Sequence, residues 1–487
     1  MALGVFDVRE AVERVCARPD VLDACRHRDL GIVIEVLGAH GVTQGQIAGL
    51  TGISQGRLSE YRNHKRRPRH SSIFEAFADG LGMPPAARQA LGLTPGSATA
   101  STATQPGTPA PDVGLAYPDT PAQASENLAR LWRADLGGAP LLRARLDPGA
   151  WNDASLRWLI DPGHRPESEM AGGVRIGIAD VDRFRTTVEL FRQLDDRFGG
   201  GHARPALVQY LSADAERLIR GRYTENVGRA LFSATAEATL LLAWMSYDSA
   251  PGSSLAQRYF VQALALAQAG DDRLLGASVL DAMSHQATYT GRFGEAANLA
   301  RAAMTGTHGI ATATLTAHFH TMEARALARL GDAKGCDRSL AEAVREFERR
   351  NPDDDPAWIR YFDELELSAE FGHCLRDLGR ATGAAQYASR SLAAIDEATF
   401  MRSDFFAMMV LADAYLDAGE HEQACSVALN ALTAGEQIRS ARCVKYLREF
   451  QQRLTAGGIS RAAAEFYEQA AGSRLWRIAA RPDKSAA

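Results

Sequence analysis

Apolar residues recur along this chain at the three- and four-residue intervals of amphipathic helices. The first clear example lies in residues 29–39, where the apolar positions of one predicted helix are Ile32, Val33, Val36 and Leu37. The same spacing predicts helices over residues 72–81 and 85–91, the latter with a proline near its first turn. Residues 174–178 alternate briefly like a strand. The pattern as a whole predicts an all-α protein.

Residues 43–63 have the pattern of two short helices joined by a tight turn. Thr43 and Ser54 can cap the two helices, and Gly52 between them permits a sharp turn. The second helix has one apolar and one polar face, formed by Leu58 and Tyr61 on one side and by Gln55, Ser59 and Asn63 on the other. This arrangement is typical of a helix-turn-helix that binds DNA.

The segment resembles the helix-turn-helix of the Cro/repressor-like (XRE) family of bacterial regulators. The family pattern is a Thr-Gln pair, an aliphatic-Ala pair, Gly-Ile-Ser-Gln and an aliphatic-Ser pair. This chain has it at Thr43, Gln44, Ile47, Ala48, Gly52, Ile53, Ser54, Gln55, Leu58 and Ser59. The resemblance covers roughly residues 29–93 and implies a compact five-helix DNA-binding head, which we place at residues 1–93.

Charge favours DNA binding locally, although the whole chain has a formal net charge of −5. Residues 54–70 contain one acid, Glu60, and six cations, which are Arg57, Arg62, Lys65, Arg66, Arg67 and Arg69. These cations lie in the predicted recognition helix and the loop after it. They are therefore placed to approach DNA phosphates.

The resemblance also implies which residues contact DNA. Gln55, near the start of the recognition helix, is expected to read adenine through its amide, with Arg57 and Ser59 as further base contacts. The expected phosphate contacts are Gln44, Asn63, Lys65 and Arg66. Glu60 could accept a hydrogen bond from cytosine or repel phosphate, so its role stays open. One head touches few base pairs, which favours a homodimer on an inverted-repeat operator in double-stranded DNA.

Composition and motifs exclude several other classes of protein. The chain contains no apolar run of membrane-spanning length and no signal-peptide pattern at its N-terminus, so we expect a cytoplasmic protein without membrane contact. Its six cysteines show no CxxC spacing, which favours reduced core thiols over metal ligands. No phosphate-binding loop, HExxH or GxSxG motif occurs. We therefore expect no enzyme activity, no cofactor and no metal site.

After the head, the composition of the chain changes abruptly. Residues 94–123 are rich in Ser, Thr, Ala, Pro and Gly and too poor in large apolar residues to form a core, which predicts a flexible linker. Residues 124–179 read as an irregular connecting segment with short helices near 125–134 and 151–159. Helical repeats are expected over residues 180–475, followed by a tail at 476–487.

A glycine and a small residue five positions later recur at intervals of 40 to 48 residues in the predicted repeats. The pairs are Gly291 with Ala296, Gly331 with Cys336, Gly379 with Ala384, and Gly419 with Ala424. Each glycine ends one helical segment and precedes another, which predicts helical hairpins. The clearest hairpin, residues 405–432, resembles the tetratricopeptide (TPR) repeat. The resemblance implies about seven helix pairs stacked into an α-solenoid with a concave inner surface.

Alignment of the hairpins on their glycines places polar side chains along the predicted concave surface. They are Asp281, His285, Tyr289, His318, Arg325, Arg329, His373 and Arg376. A surface that combines imidazoles, guanidiniums and a phenol could bind a carboxylate or a peptide backbone.

A DNA-reading head and a helical-repeat body together resemble XRE regulators with TPR bodies. That resemblance implies a sequence-specific transcription regulator whose repeats sense a peptide or small-molecule effector and mediate dimerisation. Two alternatives stay open: a DNA-binding regulator whose repeats bind a partner protein, and an interaction scaffold whose helix-turn-helix no longer reads DNA. Binding to an operator would separate the scaffold from the two regulators.

Overall fold

A computed structural model describes residues 8–68, 71–93, 113–138, 146–160, 174–250, 254–393, 401–456 and 460–481. Most of the predicted linker, the end of the predicted tail and Arg69 lie outside these ranges. Within them the chain is almost entirely helical, and its one β pairing is a parallel bridge between Arg175 and Arg222. The predicted all-α class is therefore confirmed. The chain forms two compact units, Met1–Ala110 and Pro111–Ala487.

The first unit contains seven helices among its described residues. They are α1 (Val8–Cys16), α2 (Pro19–Arg26), α3 (Leu30–Ala39), α4 (Gln44–Thr51), α5 (Gln55–Arg62), α6 (Ser71–Gly80) and α7 (Pro85–Ala90). The five-helix prediction missed α1 and α2. These two helices complete the core because their apolar faces are buried, with Val12, Val15, Val21 and Cys25 all shielded from solvent.

The second unit begins with α8 (Pro121–Leu136), α9 (Pro148–Ile160), α10 (Ile178–Phe198), α11 (Gly200–Tyr210) and α12 (Glu216–Ile219). It continues with α13 (Glu225–Ser249), α14 (Leu255–Ala269), α15 (Arg273–Tyr289), α16 (Phe293–Gly306), α17 (Ala313–Leu330), α18 (Ala333–Glu348), α19 (Glu364–Asp377) and α20 (Ala381–Ser391). The last helices are α21 (Met401–Asp417), α22 (His421–Ala434), α23 (Ala441–Ala456), α24 (Arg461–Ala470) and α25 (Arg474–Ala479).

Successive helices from α13 to α22 pack in pairs, and each of the four recurring glycines lies between the two helices of one pair. All four glycines have the left-handed backbone that L side chains rarely adopt, with φ between 70° and 81°. The small residue five positions after each glycine is fully buried. Side chains cap several of these helices, namely Asp272, Thr312, Asp332 and Asp363. Local sequence thus explains where each hairpin turns.

Residues 124–179, expected as an irregular connection, contribute two helices to the core of the second unit. Helix α8 packs on α14, and α9 packs on α14 and α16. Their tryptophans are almost completely buried: Trp132, Trp151 and Trp158. The Arg273 guanidinium lies 3.6 Å from the centre of the Trp158 ring, and it donates to the Trp158 carbonyl oxygen at 2.6 Å. Because burial of these large rings is favourable, α8 and α9 pack against the helical repeats.

Early and late helices of the second unit contact each other, so the helical array formed by α10 to α23 closes on itself. Helix α10 packs on α21, and α13 packs on α23. The Arg439 backbone N–H donates to the Phe198 carbonyl oxygen at 2.8 Å, and the Gly201 N–H donates to the Arg439 carbonyl oxygen at 3.0 Å. The run of three glycines at 199–201 is therefore a site of close backbone contact between the two ends of the array.

One buried carboxylate connects the two ends directly. Asp248, only 1% exposed, accepts hydrogen bonds from the Gly200 N–H at 3.0 Å and from the Ser440 hydroxyl at 2.7 Å. The guanidiniums of Arg402 and Arg442 lie 3.6 and 4.0 Å from its oxygens. These four groups satisfy the carboxylate in a place that water does not reach.

Gly200→Ala should destabilise this closure. A Cβ on Gly200 would lie 2.5 Å from the Met245 carbonyl oxygen, so the backbones must separate, at a cost of about 1–3 kcal/mol in the free energy of unfolding. Chemical denaturation followed by circular dichroism measures the change. Gly294→Ala is the matched control, because that helical glycine has open space at its Cβ and alanine favours a helix. Equal stability of the two variants would contradict the expected close contact.

Candidate nucleic-acid interface and ligand pocket

Helices α4 and α5 form the predicted pair with a tight turn between them. Thr43 and Gln46 form a capping box at the start of α4: the Gln46 N–H donates to the Thr43 hydroxyl at 3.3 Å, and the Thr43 N–H donates to the Gln46 amide oxygen at 2.8 Å. Gly52 ends α4 with φ 69°. Ser54 occupies the N-cap position of α5, but its side chain makes no capping hydrogen bond within the described residues. The predicted Ser54 cap is therefore wrong.

Two glycines set the position of α5 and α4 in the head. Leu58 and Tyr61 bury the inner face of α5 against α3, and Gly31 on α3 leaves room for the Tyr61 carbonyl oxygen, which would lie 2.5 Å from an added Cβ. Gly80 on α6 likewise lies against the backbone of α4 at Leu50. Close packing on the inner side fixes which face of α5 meets solvent.

The three predicted base-contacting residues lie on α5 away from its buried face. Gln55 and Arg57 are exposed, and Ser59 is half-buried. The Gln55 amide nitrogen lies beside Gly45, at 2.9 Å from the position of an added Cβ, so the side chain extends over the start of α4. Gln55 and Ser59, four positions apart, lie on the same side of α5, and the long Gln55 and Arg57 side chains are both available to solvent.

Three of the four predicted phosphate-contacting residues interact with neighbouring side chains. When the oxygen and nitrogen of the Gln44 amide are exchanged, the oxygen accepts from the Arg62 guanidinium at 3.2 and 3.3 Å. Asn63 donates to the Ser59 hydroxyl at 3.4 Å. Arg66 lies 3.6 Å from the Glu60 carboxylate, which gives Glu60 a partner that sequence alone did not indicate. The fourth residue, Lys65, is exposed three positions after the end of α5.

In the second unit, the polar residues predicted for the concave surface converge but are mostly buried. His318 lies 2.9 Å from Asp281, and Arg325 donates to Glu370 at 2.7 Å. Arg376 donates to Asp377 at 2.8 Å. Among the predicted residues that form ion pairs, Arg329 has the most exposed side chain, at 38%. The expected open polar surface is thus largely a buried ionic cluster, because the closed array covers it.

Helix α23 covers this cluster, although none of its residues was predicted for the concave surface. Arg442 lies 4.8 Å from the centre of the Tyr247 ring, and Lys445 donates to the Tyr289 carbonyl oxygen at 3.1 Å. The Tyr446 hydroxyl lies 3.5 Å from His373 Nδ1. Four polar residues of α23 recur at helical spacing and so share one face of the helix, and this pattern in the sequence could have indicated a polar surface there. They are Arg442, Lys445, Tyr446 and Glu449.

A small pocket lies between α15, α17 and α19 on one side and α23 on the other. We call it the cationic pocket, and its lining residues are His285, Thr288, Tyr289, Arg325, Arg329, Arg376, Asp377, Lys445, Tyr446 and Glu449. It thus contains five of the eight predicted concave-surface residues. Its volume of about 30 Å³ is room for about two water molecules. One small group of a ligand fits inside it, whereas a stretch of extended peptide backbone does not.

The buried histidines show that the surroundings of the cationic pocket favour neutral imidazole. Burial lowers the pKa of His285 and His373 well below the usual range, and the nearby guanidiniums, including Arg325, lower it further. Burial also acts to lower the pKa of His318, but the adjacent Asp281 carboxylate outweighs it and the net pKa is raised. The region near Arg325 therefore disfavours added positive charge.

Other kinds of site are not found in the described ranges. No helix there combines the length and apolar character needed to cross a membrane, and no three His, Cys, Asp or Glu side chains there group as metal ligands. Compared with known proteins, the chain matches no protein-family model and has no significant match among curated proteins.

His373→Gln should reduce the sensitivity of the second unit to acid. Because the folded protein holds His373 neutral, the unfolded chain gains protons first as the pH falls below about 6.5. Wild-type stability should then fall by about 1.4 kcal/mol for each pH unit from this group. Denaturant unfolding between pH 7.5 and pH 5 measures the slope, with the exposed His308→Gln as control. An unchanged slope in His373→Gln would show that His373 is not held neutral.

Proposed function

We propose that this protein is a sequence-specific DNA-binding transcription regulator of the XRE helix-turn-helix type. Its second unit is a TPR-like repeat body that senses a small-molecule or peptide effector and mediates dimerisation. The target is an inverted-repeat operator in double-stranded DNA. The alternatives are a regulator whose repeats bind a partner protein and a scaffold that does not read DNA.

The observation that carries the proposal is the polar outer face of α5. A helix that buries Leu58 and Tyr61 and presents Gln55 and Arg57 to solvent has the side chains that contact base edges in a major groove. The capping box of α4 and the left-handed Gly52 support the same interpretation. Selection of bound sequences from random double-stranded DNA by the full chain, followed by footprinting, tests it. Binding without sequence preference would contradict it.

Gln55→Ala should relax base preference at one position of each half-site. The bidentate contact of an amide with adenine discriminates by about 1–3 kcal/mol, so affinity for the selected operator should fall while affinity for random DNA stays the same. Titration of both DNAs measures the difference. Gln89→Ala removes an exposed amide from α7 and serves as the control. Unchanged preference in Gln55→Ala would remove Gln55 from the recognition surface.

Lys65→Gln should weaken binding to all DNA sequences alike. An exposed cation just after the recognition helix contacts phosphate, and loss of one such contact lowers the dependence of log affinity on log salt by about one unit. Affinity measured over a series of salt concentrations gives the slope. Arg26→Gln, a similarly exposed cation on α2, is the control. A loss confined to the specific operator would contradict a phosphate contact.

The protein should bind its operator as a dimer. Two heads on half-sites about one helical turn apart supply the specificity that one recognition helix lacks. Analytical ultracentrifugation, with and without operator DNA, measures the mass of each species. A monomer in both conditions would rule out this part of the proposal and leave the DNA-reading assignment of α5 intact.

A further inference from the structure

The cationic pocket contains hydrogen-bond donors that its acidic residues do not use. Arg325 donates through Nη1 to Glu370, but its Nε has no hydrogen-bond partner among the described residues. Arg376 uses Nε and Nη2 for Asp377, whereas Nη1 makes no hydrogen bond there and lies 3.5 Å from an Asp413 oxygen. Both arginines are more than nine-tenths buried. The carboxylates thus balance the charge of the two guanidiniums but do not accept from all of their N–H groups.

Two hydroxyl groups in the same pocket also have no hydrogen-bond partner within the described part of the chain. They are the phenol of Tyr289 and the hydroxyl of Thr288, both on α15. A buried polar group without a partner costs free energy, and nearly all buried polar groups in proteins have one. Four residues that line the pocket thus carry donors without a partner, and an acceptor bound in the pocket would lie beside these residues.

We propose that the cationic pocket binds the carboxylate group of a small ligand. The two oxygens of a carboxylate match the pocket's room for about two waters, and their lone pairs can accept from both guanidiniums and from the phenol. A phosphate, with four oxygens, requires more space. Arg329 and Lys445, whose side chains are 38% and 40% exposed, lie where the pocket opens, so the rest of the ligand extends toward solvent.

The position of the pocket links its occupancy to closure of the helical array. Its walls come from α15, α17 and α19 and from α23, so a carboxylate among them connects the middle of the array to its last helices. A ligand that binds only this closed arrangement stabilises it by mass action. The site itself stands on its geometry, and only its use as an effector site rests on the proposed function.

Acetate is the simplest probe of this site. With the full chain, acetate should raise the melting temperature above that in chloride at the same ionic strength, and calorimetry should give saturable binding. Tyr289→Phe removes one unused donor and keeps the ring against Lys445, so it should fold normally and weaken acetate binding about tenfold or more. Tyr467→Phe removes a hydroxyl that bonds Thr455 away from the pocket, and it should bind acetate like the wild type.

Three results would overturn the proposal: no acetate binding, equal binding by the wild type and Tyr289→Phe, or tighter binding of inorganic phosphate than of acetate. If Tyr289→Phe does not fold, Arg329→Gln replaces it. Arg329 is only partly buried, so its loss should weaken acetate binding without unfolding the protein.

A second pair of probes identifies the source of the carboxylate. Alanyl-alanine and its C-terminal amide differ only in the terminal group, so binding of the free acid alone would indicate a peptide C-terminus. Binding of acetate but of neither dipeptide would indicate a small organic acid, and both results support the proposal. Operator binding is measured separately on each variant. Absence of acetate binding by the wild type with intact operator recognition refutes the ligand site alone, and acetate binding without operator recognition refutes DNA recognition alone.

Discussion

The second unit depends on the buried carboxylate of Asp248. Its oxygens accept from the Gly200 N–H and the Ser440 hydroxyl, which belong to the first and last parts of the helical array. Arg402 and Arg442 compensate its charge from two further elements. A carboxylate in this position would be strongly unfavourable if any of these partners moved away. The array therefore closes only in the one arrangement that brings all four groups to Asp248.

Closure of the helical array buries the inner surfaces of its helices. Side chains that would meet water in an open array form ion pairs between helices instead, such as Arg325 with Glu370 and Arg376 with Asp413. Buried ion pairs of this kind contribute little net stability, but an unpaired member is costly, so they select one packing of the helices. The same constraint leaves a pocket of about 30 Å³ between α15 and α23 in place of an open groove.

In the first unit, close backbone contacts between helices hold a polar helix at the surface. Gly31 and Gly80 let α3 and α6 approach α5 and α4 more closely than any side chain would permit. The inner face of α5 is then fully used by Leu58 and Tyr61, and its other face is left to solvent. Within this unit, Glu60 pairs with Arg66 and reduces the free positive charge beside α5.

Local sequence was sufficient to predict helices α3 to α7, the α4 cap, the turn at Gly52 and the hairpins at the four recurring glycines. Caps and left-handed turns depend on residues within a few positions of each other. It also placed Gln55, Ser59 and Asn63 on the side of one helix opposite Leu58 and Tyr61. Only the tertiary structure decided that α23 covers the predicted concave residues, that the tryptophan helices α8 and α9 join the core, and that Asp195 pairs with Arg402 across 207 positions of the chain. These contacts depend on how all the intervening helices pack, and no local sequence pattern specifies that packing.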